Sequence, residues 1–380
     1  MMIAHPPKPR VLIFSQRNIF GRALFRCPLF EFEDIICQID SAEILAPAVD
    51  PLNARHHFAR TLAFHAPLAL NPGIPKIRLQ RHYDLFLAIC GAPGDLLMVN
   101  AVRNWRDFCK TSVCLLDELW VRQVANYRHF LRILKTFDLV ILYYSQSVAT
   151  LSEQIGGKCV FLPPGVDAIL FCPYPERPER VVDVYSIGRR SKTTHQKLLR
   201  MATESGLFYL HDSMAGDQCL DSREHRALFA NILKRSRYFI VNPGLIDRPE
   251  TRGNQIEVGN RYFEGAAAGA IMVGECPNNK EFEHLFPWRD AVIHLPYDSN
   301  NIDTIIAELD SDLQRQRSIR RTNVVQALTR HDWVYRWETI LETLGLAPMP
   351  AVSQRKERLR TLAAAILEAD EEPVAAVKAL

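Results

Sequence analysis

Three short stretches carry charged residues at spacings suited to phosphate, sugar or hydroxyl chemistry. The first is Gly188-Arg-Arg-Ser-Lys192, between an apolar run ending at Ile187 and a helix-forming segment starting at Lys192. A helix amino end offers free N–H groups and the positive end of the helix dipole. Arg189 and Arg190 add bidentate forks and Lys192 a point charge, a set that suits a diphosphate. The alternative is a solvated basic turn. The second stretch is Glu257-Val-Gly-Asn-Arg-Tyr-Phe-Glu264, followed by Gly265-Ala-Ala-Ala-Gly269. Asn260 is expected to cap a helix that Gly269 stops. Arg261 and Glu264 then share one face of its first turn. There Glu264 suits a ribose diol and Arg261 a phosphate; the alternative is an i,i+3 surface ion pair on a tightly packed helix. The third is Asp117-Glu118, after the apolar run Ser112–Leu116. Either carboxylate at a strand end suits a base, or a group that orients a hydroxyl. Either equally suits an acidic cap on the next helix. His211-Asp212 also follows a strand, and is expected to be structural.

These residues need elements to hold them. Short apolar runs at 10–15, 84–90, 112–116, 138–144 and 158–162 read as buried strands, with a further strand and turn over 44–51. Helices are expected over 52–64, 96–109, 123–136 and 147–155. The stretch from Pro163 to Pro178 holds five prolines in 16 residues and reads as a linker. Alternation resumes after it. Strands are expected at 182–187, 207–210, 238–241, 270–273 and 292–295, and helices at 192–205, 222–236, 261–268 and 279–285. Further helices fall at 302–327 (in two pieces), 333–344 and 354–369. Strands and helices alternating at this spacing form parallel sheets, whose ligands bind beyond the carboxyl ends of the strands. The expected division is 1–162, 163–345 and a hinge with a helix over 346–380.

Composition narrows the function. The 380 residues include 46 Lys+Arg against 43 Asp+Glu, a net charge of +3, which argues against nucleic-acid binding through bulk charge. A hydrophobic fraction of 48% supports real cores and excludes a disordered chain. No apolar run reaches the roughly 18 residues of a membrane helix, and the first ten residues lack a signal-peptide core. Nine scattered cysteines without a Cys-x-x-Cys pair suit a cytoplasmic protein. Asp310-Ser-Asp312 lies inside an expected helix and His56-His57 reads as a surface pair, so neither makes a metal site. No Gly-x-Gly-x-x-Gly or Walker loop occurs.

Arg261-Tyr-Phe-Glu-Gly-Ala-Ala-Ala-Gly269 resembles the R-x-F-E-x-x-A-x-G signature of CgeB/spore-maturation glycosyltransferases, close to the large retaining GT-B group that uses nucleotide sugars. Pro164-Gly-Val-Asp167 with Phe171-x-Pro173 is similar to the group's P-x-G-V-D…F-x-P segment, and Gly188-Arg189 with Lys192 to its G-R…K loop. The resemblance covers residues 163–344. It implies an α/β GT-B fold of two Rossmann-like domains facing a cleft, with the acceptor on the first and a nucleotide diphosphate-sugar, such as a UDP-sugar, on the second. It implies that Arg189, Arg190 and Lys192 neutralise the diphosphate leaving group and that Glu264 binds the donor's ribose; Gly188, Glu257, Asn260 and Arg261 complete the expected donor site, and Asp117 and Glu118, from their place at a strand end, are the expected catalytic residues. It implies no metal and no cofactor besides the donor substrate. The chain departs from the group's Glu-x7-Glu pair: Ile256 stands eight residues before Glu264, and Glu257 one residue late. That leaves open how the sugar hydroxyls are held and whether configuration is retained or inverted. The acceptor (glycan, protein or lipid-linked) is not specified. A nucleotide-sugar 2-epimerase of the same fold, or a non-catalytic sugar-nucleotide or glycan binder, are the alternatives.

Overall fold

A computed structural model describes residues 8–48, 54–66, 68–212 and 218–369. The turn expected at Pro51, the start of the helix expected from Leu52, and the tail beyond Ala369 lie outside them. The side chain of His56 is not described either; His57 is exposed on its helix.

The apolar runs form two parallel sheets. The first has the order β2-β1-β3-β4-β5-β6, with β1 Val11–Phe14, β2 Ala42–Leu45, β3 Tyr83–Cys90, β4 Cys109–Leu116, β5 Leu139–Leu142 and β6 Cys159–Phe161. The second has the order β11-β10-β9-β7-β8, with β7 Val182–Ser186, β8 Tyr209–His211, β9 Ser236–Val241, β10 Ile271–Gly274 and β11 Ile293–His294. β1 sets the register of the first sheet, Val11 opposite Leu85 and Ile13 opposite Leu87. β9 does so in the second, Tyr238 opposite Ile271. Because every pairing is parallel, each sheet sends all its strand ends toward one edge.

Ten helices of eight or more residues occur among the described residues. In the first half these are α1 Cys27–Ile39, α2 Ala54–His65 and α3 Val148–Ile155. α4 Lys192–Ser205, α5 Ser222–Lys234, α6 Asn260–Ala267, α7 Ile302–Ser311 and α8 Leu313–Arg330 follow. α9 Trp333–Thr343 and α10 Pro350–Glu368 complete the set.

Three helix expectations change. The segment 96–109 is not one helix: Leu96–Val99 and Trp105–Phe108 are single turns separated by a loop, and β4 already begins at Cys109. Asn104 explains the break, since its amide bonds both the N–H and the carbonyl of Leu79 and pins the loop to the irregular segment before β3. The segment 123–136 divides likewise into Val121–Val124, Arg128–Leu131 and a tighter turn at Arg132–Thr136. α1 had no sequence counterpart. Its 13 residues include ten buried ones, Glu31 and Glu33 among them, and only Asp34, Cys37 and Gln38 are not buried.

The halves share a core. α1 packs against both α9 and α10. Phe32 stacks on Trp333 with ring centroids 4.7 Å apart, and the Trp337 indole donates to Asp40 at 2.9 Å. The chain thus returns from the second sheet to the first through α9 and α10.

Candidate functional site

The carboxyl ends of the two sheets face each other closely. A Cβ on Gly244, just beyond β9, would lie 3.6 Å from the Tyr144 hydroxyl and 3.7 Å from the Trp120 ring. Gln255 and Gln146 tie the two edges together, Gln255 accepting from Val121 N–H at 2.8 Å and Gln146 donating to the Ile256 carbonyl at 2.8 Å.

On the second sheet, β7 ends in the turn at Gly188. Its φ of +82° lies in the left-handed region, which glycine adopts without strain. Ser191 then caps α4, its Oγ accepting from Thr194 N–H at 3.2 Å and donating to Asp298 at 2.8 Å. The cap directs the amino end of α4 toward the strand edge. Arg189 pairs with both oxygens of Asp247 at 3.1 Å and remains 42% exposed. Arg190 pairs with Asp212 at 3.1 Å, and Asp212 also accepts from Gly188 N–H at 3.2 Å. Lys192 is exposed.

Asn260 is not the cap of α6. Gly259 holds that position, and Asn260 is the first helical residue, making no capping bond. Its Oδ1 is buried without a hydrogen-bond partner. The expected close packing of this helix is present, since a Cβ on Gly265 would stand 2.7 Å from the Met272 sulfur. Arg261 and Glu264 do pair at 2.8 Å, but not on the surface: the Glu264 side chain is 0% exposed. Its other oxygen accepts from Arg226, which binds Glu31 of α1 at 2.6 Å. Burial alone would raise the Glu264 carboxyl, yet Arg261 and Arg226 outweigh it and hold it below the usual value. Glu264 therefore reaches the site through Arg261. Arg261 is 28% exposed and stacks over Phe229 at 4.7 Å. Burial pushes the Tyr185 phenol near the end of β7 up to about 12, with Arg261 lowering it and Asp212 and Glu264 raising it.

Glu257 is engaged elsewhere. Its Oε2 accepts from Ser145 N–H at 3.0 Å, and its Oε1 from Gln146 N–H at 3.1 Å and Gln255 at 2.8 Å. It caps a turn of the first half from the second. Burial pushes its carboxyl up to about 7, against those hydrogen bonds.

Across the cleft, Asp117 and Glu118 extend the β4–β3 ladder, donating their N–H groups to Cys90 and Gly91 carbonyls at 2.9 and 3.2 Å. Neither caps a helix; Trp120 holds the cap position of Val121–Val124. Glu118 accepts from the Trp120 indole at 2.6 Å. Asp117 is half-buried, and burial followed by the Glu118 charge pushes its carboxyl up to about 8, with Arg26 opposing. Arg26 is itself buried against Asp95 at 2.6 Å. The Tyr144 phenol stands among these groups: burial lifts it well above its usual value, the charges of Glu118, Asp117 and Glu257 add to this, and Arg189 opposes. Asp117 and Glu118 of the first sheet and Arg189 of the second thus act on one phenol where the two strand edges meet.

Residues 205–342 match the family model described as glycosyl transferase-like. No curated protein matches the chain. Among solved structures, the chain is similar to Anabaena Alr3699/HepE in complex with UDP-glucose, with 16% identity over 88% of this chain and 99% of that one and a TM-score of 0.52. It is also similar to a UDP-forming α,α-trehalose-phosphate synthase of Burkholderia xenovorans, with 9% identity over 88% and 98% of the chains and a TM-score of 0.51. A third is the N-terminal domain of Candida albicans trehalose-6-phosphate phosphatase, with 9% identity over 89% and 97% and a TM-score of 0.54. The fold is GT-B.

In this GT-B cleft, Asp247 and Asp212 partner Arg189 and Arg190; the sequence marked Asp212 only as a structural strand-end residue and did not mark Asp247 at all. Asp212 had a signal, its place one residue past β8; Asp247 had none. Among the described residues no three His, Cys, Asp or Glu side chains converge as metal ligands. Asp310 instead accepts from Gln316 at 3.1 Å, and Asp312 caps α8 through Arg315 N–H at 2.9 Å. No helix of the described residues is long and apolar enough to cross a membrane.

Proposed function

We propose that the protein is a glycosyltransferase that moves a sugar from a nucleotide diphosphate donor, a UDP-sugar, to an acceptor hydroxyl without a metal ion. The observation carrying this reading is the close approach of the two strand edges at Tyr144, where Arg189 of the second sheet and Asp117 and Glu118 of the first all act on one phenol; Arg190, Lys192 and Arg261 are assigned to the same donor side. The divide between an acceptor domain and a donor domain is placed at Pro163. The donor diphosphate replaces Asp247 and Asp212 as partner of the two arginines, and the amino end of α4 adds its dipole. As the sugar–phosphate bond breaks, these cations take up the charge of the leaving diphosphate, the work a metal does elsewhere. Asp117 receives the acceptor proton; its raised proton affinity matches a base working near neutral to mildly alkaline pH. Glu264 does not touch the ribose in this reading; it holds Arg261 in place. The location is cytoplasmic, in keeping with nine free thiols.

One observation favours a second reading, a binder without turnover: both Glu257 and Glu264 are occupied by protein groups. A panel of nucleotide sugars separates the two. Released nucleotide diphosphate is the expected product, and binding by UDP with no hydrolysis or transfer from any donor overturns the transferase reading. Arg189→Ala, Arg190→Ala and Arg261→Ala are each expected to weaken UDP binding about tenfold or more, the worth of one charge-assisted hydrogen bond. Unchanged affinity in all three, read by calorimetry, sinks the donor-site assignment.

A further inference from the structure

Cys27 and Cys219 are 192 positions apart in the chain, yet their sulfurs stand 3.8 Å apart. Cys27 opens α1 in the first half, and Cys219 precedes α5 in the second. Backbone contacts hold them there. Ala23 and Gln218 form an antiparallel bridge, and Cys219 N–H donates to the Arg22 carbonyl at 2.7 Å. A cysteine side chain has one rotatable bond to its sulfur, so fixing the two backbones nearly fixes the sulfur separation. Cys27 is wholly buried and Cys219 partly exposed. A groove of about 640 Å³ lined by Cys27, Glu31, Ser222, Arg223 and Arg226 runs past Cys27.

The geometry points to a Cys27–Cys219 disulfide that staples the two halves of the molecule, formed by exchange with a small external disulfide such as oxidised glutathione. The Cys219 thiolate attacks one sulfur of the oxidant. The oxidant's S–S bond breaks, one glutathione thiolate leaves, and a mixed disulfide remains on Cys219. The Cys27 thiolate then attacks Cys219 Sγ and displaces the second glutathione thiolate. The two cysteines lose two electrons, the oxidant gains them, and the two thiol protons end on two reduced glutathiones. A disulfide S–S bond is about 2.05 Å, so closure draws the sulfurs together by less than 2 Å. Burial and the neighbouring sulfur push the Cys27 thiol up to about 12, which makes the second displacement the slow one. Rare cytosolic disulfides are typically transient and redox-sensing. This one joins the start of α1 to the segment before α5, and residues ahead of the two cysteines, Ala23 and Gln218, line the same open cleft. The staple therefore restrains movement of one half against the other, and it stands whether or not the glycosyltransferase reading does.

The test incubates the full chain with oxidised glutathione, blocks remaining thiols, and maps unreduced peptides by mass spectrometry. The expected result is one Cys27–Cys219 linked peptide pair and the loss of two of the nine thiols, reversed by dithiothreitol. The oxidised chain is expected to melt about 5 °C or more above the reduced one, since the bridge closes a long loop. Cys219→Ser, at the partly exposed position, keeps the fold and loses both effects. A glutathione adduct on Cys219 without closure, a different pairing, all nine thiols intact, or the same melting shift in Cys219→Ser overturns the proposal.

Discussion

Asp117 retains its proton to an unusually high pH because the floor of the cleft withholds water from it and Glu118 adds a like charge. The consequence for stability has a definite sign. In the folded chain its pKa is about 8, against the ordinary value of 3.8. Between those two values the native state binds a proton that the unfolded chain has lost, so stability falls as pH rises through the window and levels off above it. Asp117→Asn removes this dependence. Its melting temperature relative to the native chain is expected to climb from pH 5 to pH 9, and a difference that stays flat across that range sinks the assignment. The same variant is expected to lose transfer activity about 100-fold or more, since a carboxamide cannot accept the acceptor proton. These two effects run in opposite directions, as expected where a site stores an unfavourable charge for use.

At the level of elements, Glu257 joins a loop of the second half to the amino end of a turn in the first. Two backbone N–H groups, Ser145 and Gln146, and the Gln255 amide all depend on it. Glu257→Ala leaves those donors, the buried Gln255 amide among them, without their acceptor, at a cost of about 1–3 kcal/mol. Glu257→Gln keeps one accepting oxygen and is expected to fall between. Urea denaturation measures both, and an unchanged midpoint for the alanine variant would show that the donors find other partners. This role was hidden in the sequence because its partners are 112 and 111 positions away. The i,i+3 pair Arg261–Glu264 was legible from spacing, whereas its burial was not: Arg226 and Glu31 reach it from α5 and α1.

At the scale of the whole molecule, α10 brings the end of the described chain back to the first half. Arg355 binds Asp332 at 2.8 Å and Asp167 at 2.7 Å, and Asp332 is wholly buried. Asp332 also accepts from Ala168 N–H at 3.0 Å, so one carboxylate joins the start of the second half to α9 and α10. Removing its cation strands a buried charge. Arg355→Ala is expected to cost about 3–5 kcal/mol, read as a lower midpoint in urea, and a loss under 1 kcal/mol would mean that water reaches the carboxylate. The stacked Phe32 and Trp333 rings carry the apolar part of the same junction.

The amino-acid sequence by itself determined the strands, their parallel pairing and the loops that end them. Such features follow from local apolar runs and short-range spacing, and Gly188 to Lys192 and Asp117-Glu118 were found that way. α1 escaped although Asp34, Cys37 and Gln38 mark its open face, because two of its carboxylates, Glu31 and Glu33, are buried and narrow that stripe. Only the tertiary structure decided which charges stay available to a ligand. Glu257 and Glu264 look alike in the sequence to any exposed carboxylate, and their partners arrive from elements that touch only after both sheets have formed. Ion pairing depends on distance and burial, and neither is written in residue spacing once the chain has crossed from one sheet to the other.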